Sequence, residues 1–253
     1  MDRTIIFAAL QWECRTVLRH LRQVRRTPCG PFPSWRASTP RGEVWVVKTG
    51  IGIERATAAA TAAGEARDFA RVISTGCAGG LSPALHAGDL AVATAVIDGG
   101  RRQMTDAAGR TQATAIAAAA GLRSLEGPIL CSPVALTGVD DKRRAAAGGA
   151  IVVEMEGAPI AEWAARGATP FLAVRAVLDG AGDALHLAGN FIDPSDGSVR
   201  PLALAGYIAT HPSVVSELLA MQRMQRAARD SLERFFAGWL AGSRARTRIA
   251  RTA

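Results

Sequence analysis

Two acids and an arginine stand where two apolar runs of this chain end. Residues 151–155 run into Glu154-Met155-Glu156, and a second apolar run closes on Arg175 and Asp179. If both runs are parallel strands, their carboxyl ends face a ligand crevice. The stretch would then deliver titratable groups and a methionine to one sheet edge. Buried carboxylates at such an edge are costly unless paired or used. This is where chemistry is expected.

Two glycine clusters stand at other strand ends. Thr49-Gly50-Ile51-Gly52 opens a helix at Ile53, and Ser74-Thr75-Gly76-Cys77-Ala78-Gly79-Gly80-Leu81 follows a third apolar run. A strand, a glycine turn and a helix let backbone N–H groups approach an anion or a sugar. Tight turns need glycine anyway, and neither the six-residue dinucleotide fingerprint nor a Walker lysine is present. Two clusters on consecutive strands favour ligand binding over turn formation alone.

The elements that must carry these residues alternate. Strands are expected at 4–10, 43–49, 71–75, 89–97, 128–131, 151–155 and 170–177, and helices at 13–26, 54–69, 111–120, 140–148, 157–167 and 213–240. This predicts an α/β fold, a single-domain three-layer α/β/α sandwich around a largely parallel mixed sheet. The segment 27–42, with Pro28, Pro31, Pro33 and Pro40, reads as a surface excursion. Residues 183–212 read as an irregular loop, suited to be a lid. The domain is expected to span 1–241, with 242–253 a disordered basic tail.

With 253 residues, 49% of them hydrophobic, the chain can bury a large core. No run reaches the roughly 18 apolar residues of a membrane span. The apolar start is too short for a signal peptide and reads as a buried first strand, so a cytoplasmic location is expected. Cys14, Cys29, Cys77 and Cys131 show neither metal spacing nor a framework of pairs. His20, His86, His186 and His211 show no ligand spacing, so no metal is implied. The net charge of +8 is concentrated at Arg15 to Arg26 and Arg223 to Arg251, without interleaved aromatics. It reads as a solvated helix face and tail, then as peripheral contact with an anionic membrane, and last as a nucleic-acid surface. No nucleic-acid partner is expected.

Taken together, Glu13, Thr49-Gly50-Ile51-Gly52, Thr75-Gly76-Cys77-Ala78-Gly79-Gly80, Val153-Glu154-Met155-Glu156 and Arg175 with Asp179 resemble the nucleoside phosphorylase and nucleosidase superfamily. The likeness covers residues 4–183 in order and is similar to methylthioadenosine/S-adenosylhomocysteine nucleosidases. The region from Asp193-Pro194-Ser195-Asp196-Gly197 onward is closer to a hopanoid-associated phosphorylase subgroup. The resemblance implies an enzyme that splits the N-glycosidic bond of a purine nucleoside without a cofactor and assembles as a homo-oligomer. It implies that Glu156 binds the ribose hydroxyls and Met155 packs on the sugar. Asp179 would protonate purine N7, and Glu13 would activate water with Arg175 helping to place it. Gly50, Gly52, Gly76, Cys77 and Gly79 would line the pocket, and Leu136 and Thr137 of the loop 132–137 would meet the base. Such an assignment fits the reaction, because the leaving base needs an acid and the developing sugar cation needs carboxylates.

Some residues depart from the family pattern. Leu178 replaces a common serine, Gly157 replaces a small side chain, Cys77 replaces a common serine, and the base loop lacks its aromatic platform. Asp179 could instead cap the following loop, Glu154 is expected to serve structure, and Asp140-Asp141 to cap a helix starting at Lys142. Many phosphorylases of the superfamily hold phosphate with an arginine where Ser74 stands here. Water is therefore expected as the nucleophile, with phosphate as the co-substrate if Arg41 or a neighbouring subunit substitutes. The 5′ substituent is expected to meet apolar residues: Leu185, Leu187, Phe191, Ile192, Leu202 and Leu204 of the lid and Val214, Val215, Leu218, Leu219 and Met221 of the last helix. Adenosylhopane is one such substrate. A non-catalytic nucleoside- or lipid-binding protein is the alternative of a different class.

Overall fold

In the computed structural model, which describes residues 2–40, 42–66, 68–184 and 214–249, the first strand is buried on both faces. Strand β1 (Asp2–Ala8) alternates perfectly: Ile5 and Phe7 enter one core, Ile6 and Ala8 the other. Both faces of the sheet are therefore covered. Helices α2 (Ile53–Ala66) and α5 (Gly157–Arg166) pack on the first face through Ala56, Ala60, Ile160 and Ala164. Helices α1 (Gln11–Leu18), α3 (Ala107–Ala119) and α6 (Val214–Ile249) pack on the second through Val17, Ala113, Leu232, Phe235 and Phe236. Each fully buried side chain of this size contributes roughly 1.5–3 kcal/mol. The expected three layers are present.

Strand β1 lies between β4 (Gly42–Lys48) and β5 (Arg71–Gly80), parallel to both. Strand β10 (Phe171–Asp179) runs parallel to β5 and antiparallel to β6 (Leu90–Asp98). Beyond β6 come β8 (Ser124–Cys131) and the short β9 (Val152–Glu154), which turns back to pair antiparallel with β5. The sheet thus curls so that the carboxyl ends of β5 and β10 meet β9, which runs antiparallel to β5. This junction carries the second glycine cluster, the two glutamates, and Asp179.

Several boundaries differ from expectation. Helix α1 ends at Leu18 rather than residue 26, and Arg25–Arg26 form a short strand β2 on β3 (Ser34–Thr39). The excursion 27–42 thus contains an edge strand, antiparallel to β4. Its prolines bracket that strand instead of interrupting it. A hairpin joins β6 to β7 (Arg101–Met104) through Gly99-Gly100, a turn signal that was overlooked. Helix α3 starts earlier than expected because Asp106 caps it, accepting from the Gly109 N–H at 2.7 Å. Helix α4 (Val139–Ala146) starts at the cap residue Gly138, so Asp140 and Asp141 lie in its first turn, bonded to Arg143 and Arg144. Helix α6 runs on to Ile249, into the stretch expected as a disordered tail. Among its basic residues, Arg229 pairs with Glu233, which also meets Arg19 of the α1 end. Of the segment 183–212 expected as a lid, residues 185–212 with His186 and His211 lie outside the described residues, as do Arg41 and 250–253. No helix among the described residues is long and apolar enough to cross a membrane.

Candidate active site

Glu13 is fixed by its own helix first. It is the third residue of α1, and its Oε2 accepts the N–H of Leu10, the cap residue, at 2.8 Å. Its Oε1 accepts the Cys77 N–H at 2.8 Å, which ties α1 to β5 across 64 residues. Burial pushes the carboxyl above the ordinary glutamate range, while these N–H groups and the field of Arg175 oppose the shift. Gly76 makes this contact possible. A Cβ there would stand 2.7 Å from Glu13 Oε1, at a φ of +148° that side chains rarely adopt. The second cluster is therefore not a turn leading into a helix. Its glycines stay within β5, and their role is to let carboxylates lie against the strand.

Glu154 ends β9, whereas Glu156 lies beyond the strand as the residue that opens α5, so the two carboxylates take different partners. Glu156 Oε1 accepts the Gly52 N–H at 2.7 Å, so the first glycine cluster meets the acidic stretch 104 residues later. Burial, with Glu154 close by, raises its carboxyl to about 8 despite the Gly52 bond. Glu154 turns inward. It accepts from Gly157 N–H at 2.8 and 3.0 Å and from Glu156 N–H at 3.1 Å, capping α5. A Cβ at position 157 would stand 2.7 Å from Glu154 Oε1, which explains why glycine follows Glu156 in this chain.

Arg175 belongs to that inward set. Its Nη2 donates to Glu154 Oε2 at 2.6 Å and to Ser74 Oγ at 2.7 Å, and the residue is buried. Its hydrogen bonds go to these groups rather than to Glu13, which it reaches only through its field. The expected placement of Glu13 by Arg175 is thus indirect. Arg175 holds β10, β5 and β9 in register.

Asp179 ends β10 opposite Gly79, and a Cβ on Gly79 would lie 3.6 Å from its Oδ2. Its partner was not foreseen. Lys142 of α4 is fully buried and bonded through Nζ to Asp179 Oδ2. Burial raises the Asp179 carboxyl, and Lys142 draws it back down. The run Asp140-Asp141-Lys142-Arg143-Arg144 reads as a solvated helix face, which hid the lysine. A usable signal existed: Lys142 and Lys48 are the only lysines in a chain that otherwise takes its cations from arginine.

The remaining expected residues surround this group. Met155 is half-buried beside Glu156. Cys77 is half-buried, and burial with Glu13 beside it pushes the thiol well above its ordinary range, so it is inert as a nucleophile. The loop after β8 is tied to β9 by Ser132 N–H to Glu154 O at 2.8 Å. In that loop Leu136 packs near Val153, while Thr137 is exposed. Among the described residues no cluster of three or more acids, histidines or cysteines could hold a metal.

The fold that carries this arrangement has counterparts among solved structures. Futalosine hydrolase of Helicobacter pylori superposes with a TM-score of 0.75 at 18% identity, covering 95% of this chain and 98% of that one. The 5′-methylthioadenosine/S-adenosylhomocysteine nucleosidase of Neisseria meningitidis, in complex with methylthio-immucillin-A, gives 0.74 at 19%, covering 94% and 98%. The corresponding nucleosidase of Colwellia psychrerythraea, in complex with adenine, gives 0.70 at 19%, covering 96% and 95%. A comparison with curated proteins finds no match. The family profile of the phosphorylase superfamily matches residues 3–195, which contain every acid of the site, and the chain belongs to that superfamily.

Proposed function

We propose that the protein hydrolyses the N-glycosidic bond of a purine nucleoside, an adenosine modified at the 5′ carbon, and releases the free base. One observation carries the choice of water. The backbone N–H that a glycine-rich strand could offer to an anion, that of Cys77, is already taken by the carboxylate of Glu13. A phosphate dianion would be repelled there, whereas a water molecule would find a base. Ser74, where a phosphorylase of the superfamily would carry its arginine, instead receives the buried Arg175.

In this reading the bond from C1′ to the base breaks toward an oxocarbenium-like sugar. Asp179 hands a proton to N7 of the departing base, and Glu13 takes one from the attacking water. Glu156 binds the ribose hydroxyls, and because its carboxyl keeps a proton up to about pH 8 it both donates and accepts toward them. Met155 covers the sugar face. The similar structures support a nucleoside ligand, one being a futalosine hydrolase and others holding adenine or methylthio-immucillin-A. The assignment to adenosylhopane rests on the sequence from Asp193 through the long helix, of which residues 193–213 lie outside the described residues.

Product analysis tests the reading. Purified protein given 5′-methylthioadenosine in phosphate-free buffer should release adenine and a reducing sugar. 5-Methylthioribose-1-phosphate formed only when phosphate is added would overturn hydrolysis. A series of 5′-alkylthioadenosines then sizes the 5′ pocket: each methylene buried adds about 0.8 kcal/mol until the pocket ends.

A further inference from the structure

Lys142 has more partners than a simple counter-ion needs. Its Nζ meets the Asp179 carboxylate, the Gly180 carbonyl at 2.9 Å and the Asp183 carbonyl at 2.7 Å. Carbonyl oxygens only accept, so Nζ must give a hydrogen to each of them. The third position can be filled in two ways. An ammonium can donate to an ionised Asp179, or a neutral amine can accept from a protonated one. Both arrangements satisfy every atom, and in both the pair holds one proton. Arginine, which this chain prefers elsewhere, would supply the charge but does not release a proton.

We propose that Lys142 and Asp179 act as one unit that stores the proton taken by the departing base, with Lys142 as the positioning and proton-holding partner. This rests on the assignment of Asp179 as the acid. As the C1′–N9 bond breaks, its electron pair passes to the base, and N7 takes the proton from Asp179. The unit is left as a carboxylate beside a neutral amine. Water forms the new C1′–O bond and gives its proton to Glu13, and solvent then returns a proton to the unit and removes one from Glu13.

The consequence concerns alkaline pH. Asp179 alone would stop being an acid once pH passed its own, burial-raised pKa. With Lys142 the unit keeps its proton further, because losing it leaves a buried anion without a cation. The charged groups acting on Asp179 are Lys142 from α4 and Asp183 from the segment after β10, the latter held by the Gly180 N–H at 2.8 Å. Glu13 and Glu156 titrate in the same crevice and affect every variant alike.

The test compares kcat/KM from about pH 5 to about pH 10 for wild type, Lys142→Met, Lys142→Arg and Asp179→Asn. Each is assayed on 5′-methylthioadenosine and on its N7-methylated form, whose base leaves without protonation. Relative to wild type, Lys142→Met should lose about a further tenfold between about pH 6 and about pH 9. Lys142→Arg should lose about tenfold or more near pH 7 relative to its own activity at lower pH, since Asp179 is then ionised beside a cation that lends no proton. On the N7-methylated nucleoside the ratio of each variant to wild type should stay constant with pH, whatever its size, and measurable cleavage there reports that they fold. A loss of the same factor at every pH and on both substrates makes Lys142 merely structural and overturns the proposal. So does full activity of Lys142→Arg near pH 7. If Lys142→Met does not fold, Lys142→Arg carries the same pH test. Asp179→Asn separates the two ideas: retained turnover sinks the acid assignment itself, whereas an inactive Asp179→Asn beside wild-type Lys142 variants sinks only the stored proton.

Discussion

The two ends of the crevice keep their carboxylates in opposite ways. At the end proposed for the sugar, Glu13 and Glu156 rest on backbone N–H groups, those of Leu10, Cys77 and Gly52. At the end proposed for the base, Asp179 rests on the buried Nζ of Lys142. A backbone N–H cannot titrate, so it holds a carboxylate in place without taking part in proton transfer. A lysine can. On the proposed reading, fixed dipoles hold the acids placed at the sugar, and a titratable side chain stands beside the acid placed at the base. Arg175 and Glu154 form a third pattern, two buried charges that satisfy each other behind the crevice.

The third pattern should show the largest effect on stability. Arg175→Met strands Glu154 without its cation and should cost about 3–5 kcal/mol in chemical denaturation. Adding Glu154→Gln should recover much of that loss. A stable Arg175→Met with abolished turnover would instead move Arg175 to the reacting atoms.

Asp179→Asn should lower kcat by about 10²-fold or more while nucleoside binding survives, because asparagine bonds N7 but hands over no proton. Retention of more than about half the wild-type kcat would remove Asp179 from the mechanism. Gly76→Ala tests the opposite end. Its Cβ would meet Glu13 at a backbone angle unsuited to alanine, so stability should drop by about 1–3 kcal/mol and turnover with it. An alanine variant indistinguishable from wild type would show that Glu13 does not need the close approach.

A pH-dependent effect is expected at Glu156. Its carboxyl is raised to about 8 in the folded chain, above the ordinary 4.5. The unfolded chain therefore loses this proton first, and the group's contribution to stability fades as pH rises between those values. Glu156→Gln, which cannot ionise, should gain in Tm over wild type across that window and keep a constant difference above it. A difference independent of pH would mean that Glu156 is not held protonated.

Much of this was legible in the chain. The alternation of Ile5, Ile6, Phe7 and Ala8 announces a strand buried on both faces, and the apolar runs ending at Glu154 and Arg175 announce strand ends. The edge strand Ser34–Thr39 was hidden by flanking prolines, and β7 by attention to the longer runs around it. The second glycine cluster was misread because glycine suits a turn and a close approach equally well. Lys142 was hidden by its neighbours: Asp140 with Arg143 and Asp141 with Arg144 form solvent-facing pairs one helical turn apart, leaving Lys142 turned inward between them.

The amino-acid order alone set the alternation of elements, the apolar faces and the delivery of acids to strand ends, because each depends on neighbours a few residues away. Which N–H or cation each acid meets depends on strand register and on the curl of the sheet. Glu13 with Cys77, Glu156 with Gly52, and Asp179 with Lys142 are joined across 64, 104 and 37 residues. Such contacts exist only once β5, β9 and β10 meet, and no local pattern encodes them.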